Sequence, residues 1–434
     1  MQISPFILEQ YFAKHEFTAR YMLSSSDCDG FPMEYILEHA TEKELEMWKN
    51  LTLGYTEGMG SRFLRESVCR FYKKAKPENV LVASPGELSF ILMNVLMERS
   101  AGCGSDKPHA VVVSPAYQSL YEVLKSLDCD ISYWRASCVR QADDMTVGKE
   151  DTCIECGAEC VPGSEDTCGE SGAERACGER VSGGEWRFDI EELKKLVRPD
   201  TRLIVINFPH NPTGAYITRK QLDEIVEIAR SCGAYLYSDE MYRDLIVNDG
   251  VEPLPAVCDI YEKGISLWGT AKSFGLAGLR IGWFVSQDTG LLARIQSFKD
   301  YLSICCSAPS EVLTAIALNH SDEFIGPNVE KIRSNVAFFK EAVGAGKLPF
   351  VTDFIPPVAG SVAFVGIDPA KAAYLLDFTP ATALEFSDSV VEKYGIMTVP
   401  APMFEASGNW LRIGFGRENF KEVVSTLFCL QNHQ

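Results

Sequence analysis

Short apolar runs alternate with amphipathic helical patterns between residues 80 and 300, and this alternation constrains the fold more than any other feature of the chain. Parallel strands need a long crossover between them, which is usually a helix, so the pattern predicts an α/β sheet covered by helices. The strand-like runs span residues 80–83, 110–114, 131–134, 203–208, 234–238, 265–268 and 281–286. We expect a large domain with a mostly parallel seven-stranded sheet flanked by helices.

The last third of the chain has a different pattern. A long helical pattern over residues 328–345 is followed by short strand-like runs at 361–365 and 410–415, with a helical pattern at 382–394 between them. Separate helices and short strands of this kind predict a smaller α+β domain.

Residues 137–186 interrupt the alternation. They include six cysteines, and 12 acidic residues stand against 4 basic ones. The sequence from residue 150 recurs, degraded, from residue 165, which indicates a duplicated insertion with too few apolar residues to form a core. Cys153, Cys156 and Cys160 have a spacing that can bind zinc, but the second copy loses two of the three thiols. We predict no metal site.

Composition excludes several classes of partner. The net charge of −19 argues against binding to nucleic acid and to anionic membranes. No apolar run is long enough to span a membrane, and the N-terminus lacks the pattern of a secretory signal. The 15 cysteines are an odd number and are scattered, which favours reduced, mostly buried thiols and a cytoplasmic location.

The glycine-rich segment 269–283 carries the sharpest chemical signal. Lys272 follows one strand-like run directly, and Arg280 precedes the next. A lysine amine is a nucleophile that forms Schiff bases, and an arginine binds phosphate through its planar guanidinium group. Two surface cations on a loop are the alternative interpretation of the same pattern.

Two further strand ends carry polar residues. Asn211 lies in the sequence Asn-Phe-Pro-His-Asn-Pro-Thr-Gly, which directly follows the apolar residues 203–206. Asp239 directly follows the run at 234–238, with Tyr242 three residues later. Taken singly, the first is ordinary turn chemistry and Asp239 is a common type of helix cap. Arg412 lies inside a strand-like run, where a charged side chain needs a partner.

These motifs, in this order, resemble the fold type I pyridoxal-phosphate-dependent aminotransferases of class I/II, the aspartate aminotransferase-like family. The resemblance extends from residue 51 to residue 416. It implies that Lys272 is the catalytic residue and carries pyridoxal 5'-phosphate as a Schiff base. It also implies that Arg412 binds the α-carboxylate of the substrate.

The remaining residues implied by the resemblance all contact the cofactor. Asp239 would face the pyridine nitrogen, Asn211 and Tyr242 would bind the phenolic oxygen, and Tyr117 would stack on the ring. The phosphate would be bound by Gly86, Glu87, Thr270 and Arg280, and by Tyr55 from the neighbouring subunit of a homodimer.

The sequence departs from the family pattern at the phosphate. Pro85 stands where the family usually has glycine, and proline donates no N–H. The family often has a hydroxyl residue three places before the lysine, where this chain has Gly269. We expect Thr270 to substitute for that hydroxyl, or the phosphate to lose one donor.

The resemblance also implies the domain organisation and the reaction. Residues 1–48 would join residues 306–434 in the small domain, with residues 49–305 as the large cofactor-binding domain. The expected activity is transfer of an amino group between an amino acid and a 2-oxo acid. Dicarboxylate-specific relatives carry an extra arginine before a Ser-x-Pro segment. No arginine lies between Arg294 and Arg333, so we do not expect specificity for aspartate. Three alternatives stay open: cyclisation, as in capreomycidine synthase-like proteins, a lyase reaction, or a catalytically inactive binding homologue.

Overall fold

The computed structural model describes residues 2–98, 107–140 and 184–429, which form two principal sheets covered by helices. The N-terminal elements are α1 Ile7–His15, β1 Tyr21–Met22, α2 Met33–Glu38, α3 Glu42–Lys49, α4 Arg62–Cys69, β2 Val80–Ala83, α5 Pro85–Leu96, β3 His109–Ser114, α6 Glu122–Ser126 and β4 Asp130–Arg140. The central elements are β5 Gly184–Phe188, α7 Ile190–Leu196, β6 Thr201–Asn207, α8 Arg219–Cys232, β7 Tyr235–Asp239, α9 Val257–Ile260, β8 Gly264–Gly269, β9 Gly282–Ser286 and α10 Thr289–Lys299. The C-terminal elements are α11 Ala308–Asn319, α12 Asp322–Gly344, β10 Val351–Phe354, β11 Val362–Ile367, α13 Ala383–Tyr394, β12 Ile396–Met397, β13 Val399–Pro400, β14 Trp410–Gly414 and α14 Phe420–Cys429.

The larger sheet has the strand order β2-β9-β8-β7-β6-β3-β4-β5. Its central pairs, from β8 across to β4, are all parallel, whereas β9 is antiparallel to both of its neighbours and β5 is antiparallel to β4. The predicted α/β class is therefore confirmed. The predicted count of seven strands is one too low, because β5 adds an edge strand that pairs only with β4.

The extra strand also corrects the limits of the predicted insertion. Strand β4 continues to Arg140 and β5 begins at Gly184, so both ends of the segment 137–186 belong to the sheet. In β5 the side chains of Trp186 and Phe188 are buried and alternate with exposed residues, which is the pattern of an edge strand with one covered face. Cys153, Cys156 and Cys160 lie outside the described residues.

Burial explains why three neighbouring strands at one side of the larger sheet are mostly apolar. Strands β2, β8 and β9 are buried at every residue, as expected for strands that helices cover on both faces. The thiols of Cys28 and Cys258 are free and buried in this core, and burial raises the pKa of Cys28 to about 12. Such thiols behave as small apolar groups. In the part of the chain that the structure describes, no helix combines the length and apolarity needed to cross a membrane.

The smaller sheet is antiparallel, in the order β10-β11-β14-β13. Beside it, β1 pairs in parallel with β12, so the N-terminal segment is attached to the C-terminal part of the chain. The domain boundaries at residues 48 and 305 stay predictions.

After β1 the chain continues across the end of β14. The amide of Gly414 donates to the carbonyl oxygen of Leu23 at 2.8 Å, and the amide of Asp29 donates to the carbonyl oxygen of Gly416 at 3.2 Å. The two backbones approach so closely that a Cβ atom on Gly414 would lie 1.7 Å from the carbonyl oxygen of Ser25. Only glycine fits at this crossing, which fixes the segment 23–29 against the smaller sheet.

Candidate active site

The carboxyl ends of the parallel strands bring the chemical groups together. Asp239 is the last residue of β7 and is paired in register with Asn207, the last residue of β6. Lys272 follows the end of β8 by three residues, and Asn211 follows the end of β6 by four. Ligands bind at this edge of open α/β sheets, so the topology places these side chains where a site is expected.

Lys272 contacts a residue that the sequence argument did not identify. Its Nζ atom donates a hydrogen bond to Oγ of Ser26 at 2.9 Å. The backbone of Ser26 is itself fixed by a second hydrogen bond, which the hydroxyl of Ser361 donates to the Ser26 carbonyl oxygen at 2.7 Å. The three consecutive serines at 24–26 are visible in the sequence, but only the path of the N-terminal segment brings them to the lysine.

Asp239 is a partly buried carboxylate close to the lysine. Its pKa is raised from the ordinary value of 3.8 to about 7, mainly by burial, and the charge of Glu240 acts in the same direction. The Met241 amide, 3.1 Å from Oδ1, and the Lys272 cation both act in the opposite direction. A cationic group bound next to Asp239 would therefore lower the pKa of this carboxylate and stabilise its ionised form.

Arg412 is the most unusual charged side chain of the site, because it is fully buried. Its Nη1 atom donates to Oδ1 of Asn211 at 3.3 Å, and Nη2 donates to the carbonyl oxygen of Ser24 at 2.9 Å. The rings of Phe12 and Phe404 lie 5.8 and 5.2 Å from the guanidinium carbon. Its Nε atom is buried without a hydrogen-bond partner, and burial lowers the pKa of the group. A buried cation with an unpaired N–H group favours the binding of an anionic ligand.

Two predicted aromatic residues lie beside this guanidinium group. Tyr242 is buried, and Tyr117 is half-buried and donates its hydroxyl to Glu9 at 2.6 Å. Both phenols are close enough to act electrostatically on the pKa of Arg412. The structure thus brings together Asn211, Tyr117, Tyr242 and Arg412, as the sequence predicted, while Glu9 is an additional contact.

The predicted phosphate contacts lie at the start of α5 and beside β9. Ser84 caps α5 by accepting from the amide of Glu87 at 3.4 Å, and Gly86 is exposed, with open space on its Cβ side. A Cβ atom on Gly282 would lie 2.7 Å from Pro85, so the helix start packs against the residue two places after Arg280. Arg280 is itself exposed.

The missing hydroxyl at Gly269 has a steric cause. A Cβ atom there would lie 2.9 Å from the carbonyl oxygen of Ile281, so the close approach of β8 and β9 leaves no room for a side chain. The hydroxyl of Thr270 is fully buried, 3.3 Å from the Leu276 carbonyl oxygen and 3.2 Å from that of Ile281. The Thr270 hydroxyl is therefore already bonded within the turn and buried. Of the predicted phosphate contacts, the one through Thr270 has the least support from the geometry.

Comparison with known proteins agrees with this geometry. The family model described as "Aminotransferase class I and II" matches residues 170–427, well over half of the chain. The chain belongs to the aminotransferase class I and II family. The match includes Lys272, Asn211, Asp239 and Arg412, whose roles in this chain stay predictions.

Several curated relatives and solved structures are similar to this member of the aminotransferase class I and II family. Capreomycidine synthase of Streptomyces vinaceus is 30% identical over 228 residues, 52% of this chain and 54% of the relative. A probable N-succinyldiaminopimelate aminotransferase of Mycobacterium tuberculosis is 28% identical over 223 residues, 51% of this chain and 53% of the relative. The chain thus spans about half the length of these curated relatives.

The solved structures cover the whole fold. A PLP-dependent aminotransferase from Streptococcus suis aligns with a TM-score of 0.76 at 25% identity, covering 99% of this chain and 97% of its own. The PLP-dependent cyclase OrfR aligns with the same TM-score at 21% identity, covering 100% of this chain and 99% of its own. The large α/β sheet with a smaller antiparallel sheet is therefore the fold of this family.

Asp239 predicts a pH dependence of stability in the cofactor-free protein. Its pKa is 3.8 ordinarily and about 7 in the fold, so between pH 4 and pH 7 the native state keeps a proton that the unfolded state has lost. The stability contributed by this proton is complete below about pH 4 and is lost as the pH rises through about 7. Denaturant titrations should show Asp239→Asn losing less stability than the wild type over this window, by about 2–4 kcal/mol.

The control for this experiment is Asp223→Asn, which changes an exposed aspartate paired with Arg219. It should follow the wild-type curve. Parallel curves for the wild type and Asp239→Asn would contradict the raised pKa of Asp239.

Proposed function

We propose that the protein is a pyridoxal-phosphate-dependent aminotransferase that transfers an amino group between an amino acid and a 2-oxo acid. The observation that carries the proposal is the arrangement around Lys272. The lysine amine and the carboxylate of Asp239 lie at the carboxyl edge of the larger sheet. The buried guanidinium group of Arg412, from the smaller sheet, bonds to Asn211 at this edge, and among the described residues its Nε atom has no partner. The aminotransferases that are similar to this protein, including the Streptococcus suis structure, support the same activity.

The side chains at the strand ends fit the cofactor. Lys272 would hold it covalently through Nζ, and Asp239 would accept a hydrogen bond from the protonated ring nitrogen, which would stabilise the ionised carboxylate. Asn211 and Tyr242 would bind the phenolic oxygen, and Tyr117 would cover the ring. The start of α5 at Gly86 and Glu87, with Arg280, would bind the phosphate, as helix N-termini and arginine do elsewhere. When bound, pyridoxal phosphate supplies an electron-accepting ring that stabilises negative charge at the substrate Cα.

The chain's own residues would supply binding, orientation and proton transfer. Arg412 would bind the α-carboxylate through its free Nε, with Asn211 and the Ser24 carbonyl oxygen holding the guanidinium plane. The amine of Lys272, once released by the substrate, would move the Cα proton as general acid and base. Ser26, 2.9 Å from Nζ, would keep that amine in position while it is free.

A cyclase or lyase reaction is the second candidate. It is supported by the 30% identity to capreomycidine synthase and by the structural likeness to the cyclase OrfR. Both reactions would use the same lysine, so the products separate them: transamination gives a 2-oxo acid and the aminated cofactor. An inactive binding homologue is a third and weaker candidate, because the lysine, aspartate and arginine are all present.

We also propose a cytoplasmic homodimer in which Tyr55 reaches the phosphate of the neighbouring subunit. Tyr55 is 88% exposed and Tyr301 is 90% exposed, and the two segments adjoin, since Thr56 donates to the carbonyl oxygen of Cys306 at 3.2 Å. Lys299, which is fully buried, also joins them by donating to the carbonyl oxygens of Gly58 and Ile304. Exposed aromatic side chains on two adjoining segments are typical of an interface.

Covalent capture tests the cofactor assignment. Wild-type protein mixed with pyridoxal phosphate should turn yellow, and borohydride should fix the cofactor on the peptide that contains Lys272. Lys272→Ala should lose this label, while Lys263→Ala, which removes a half-buried lysine that donates to the Gly233 carbonyl oxygen, should retain it. A colourless wild-type protein, or label shared equally among surface lysines, would refute the cofactor assignment.

Sedimentation at low protein concentration tests the dimer. Tyr301→Glu places a charge in the proposed interface and should shift the protein towards the monomer, because a buried unpaired charge is costly. Phe378→Glu changes another exposed aromatic residue and should leave the dimer intact. A monomeric wild type would exclude the proposed role of Tyr55.

A further inference from the structure

Helix α12 carries polar side chains on its buried side. Asn328, Lys331 and Asn335 follow one another at intervals of three and four residues, so they share one face of the helix. Asn328 and Asn335 are buried, and Lys331 is half-buried between them. A helix packed against a core normally presents apolar residues on that face. We call these three residues the polar stripe.

The first residue of the polar stripe is bonded to the residue that follows the lysine. Nδ2 of Asn328 donates to the carbonyl oxygen of Ser273 at 3.1 Å. Ser273 is itself fixed to the larger sheet, because its hydroxyl accepts from Nε1 of Trp268 at 3.3 Å and donates to the carbonyl oxygen of Arg243. Helix α12 is thus attached directly to the turn that carries Lys272.

The last residue of the polar stripe is bonded to the end of strand β14. Nδ2 of Asn335 donates to the carbonyl oxygens of Phe415 and Arg417, at 2.9 and 2.8 Å. Arg412 lies in this strand, three residues before Phe415. The same helix therefore also fixes the backbone that carries the buried guanidinium group.

The middle residue of the polar stripe is bonded to the N-terminal segment. Nζ of Lys331 donates to Oδ2 of Asp29 at 2.9 Å, at the end of the segment 23–29. This segment supplies the serine side chain that contacts Lys272 and the serine carbonyl oxygen that contacts Arg412. The three bonds of the polar stripe thus reach three separate parts of the chain that meet at the site.

Packing alone does not explain an asparagine at position 328. Among the described residues, Oδ1 of Asn328 is buried without a hydrogen-bond partner. A buried polar atom that is left unpaired is destabilising, and an apolar side chain of similar size would fill this position at a lower cost. The bond to Ser273 is the contact that an apolar residue could not make.

We propose that the polar stripe sets the separation between Lys272 and Arg412. This inference rests on the proposed function, in which the lysine moves the Cα proton while the arginine binds the carboxylate of the same substrate. The two groups come from different sheets, and α12 is bonded to the backbone beside each of them. Asn328, Lys331 and Asn335 are positioning residues, which act through the backbone that they hold.

Kinetics of two matched variants test the proposal. Leucine has nearly the size of asparagine, so Asn328→Leu and Asn335→Leu remove the donated hydrogen bonds and keep the helix packed. Asn328→Leu should lower kcat for the best amino acid substrate on the order of tenfold, with little change in KM, because the amine is displaced. Asn335→Leu should raise KM on the order of tenfold, with kcat nearly unchanged, because carboxylate binding is weakened equally before and in the transition state.

The affinity for pyridoxal phosphate gives a readout that does not require turnover. Without amino acid, Asn328→Leu should bind the cofactor several-fold more weakly, since Lys272 holds it, and Asn335→Leu should bind it as the wild type does.

Milder variants decide the test if a leucine variant does not fold. Asn328→Ser shortens the donor and should act in the direction of Asn328→Leu. Lys331→Met removes the charge that binds Asp29 and should raise KM, as Asn335→Leu does, but by less. Lys340→Met changes an exposed lysine on the same helix and is the control, which should match the wild type.

Three kinetic results would overturn the proposal: equal changes of kcat and KM in both leucine variants, which would indicate a general loss of structure, unchanged parameters in both, or the reverse assignment of kcat and KM. If the wild type traps the cofactor but no amino acid reacts, cofactor affinity decides, and equal affinity in the wild type and Asn328→Leu overturns the proposal. Failure of the proposed function has a separate signature: a wild type that traps no cofactor on Lys272 would refute that function and this inference together.

Discussion

The buried guanidinium group of Arg412 is the interaction on which the rest of the site depends. It lies on β14 of the smaller sheet, bonds to Asn211 from the larger sheet, and bonds to the backbone of Ser24 in the N-terminal segment. Burying a charge is costly unless it is hydrogen-bonded, so these three parts of the chain must be in place together. Phe12 and Phe404 complete the surroundings. The Arg412 side chain thus contacts both sheets and helix α1, and its Nε atom remains available for an anion.

The sequence predicted those parts of the fold that follow from local periodicity. The strand-like runs around β2, β8 and β9 were located to within one residue, because fully buried strands are continuous apolar runs. The edge strand β5 was missed because it follows a long acidic segment and its alternating pattern spans only five residues. Strand β5 is covered on one side only, so its apolar signal is weaker than that of the fully buried strands.

The site was predictable where the residues follow strands, and hidden where it depends on long-range packing. Asp239, Asn211 and Lys272 could be placed at one edge because parallel strands end there. The contact between Ser26 and Lys272 spans 246 positions, and that between Glu9 and Tyr117 spans 108. No local pattern predicts such contacts. Gly269 illustrates the reverse case: the sequence showed a missing hydroxyl, but only the close approach of β8 and β9 explains it.

The crossing of the N-terminal segment over β14 offers the most direct test of this account. In Gly414→Ala the new Cβ atom would meet the Ser25 carbonyl oxygen, displacing the segment that holds Arg412 and Ser26 while leaving the strand ends around Lys272 intact. The measurement is kcat/KM for the best amino acid substrate, beside trapping of pyridoxal phosphate on Lys272. We expect kcat/KM of Gly414→Ala to fall at least about tenfold, while trapping of pyridoxal phosphate on Lys272 is unchanged. The control is Gly326→Ala, whose Cβ would meet open space and which should match the wild type. An unchanged kcat/KM in folded Gly414→Ala protein would contradict the account.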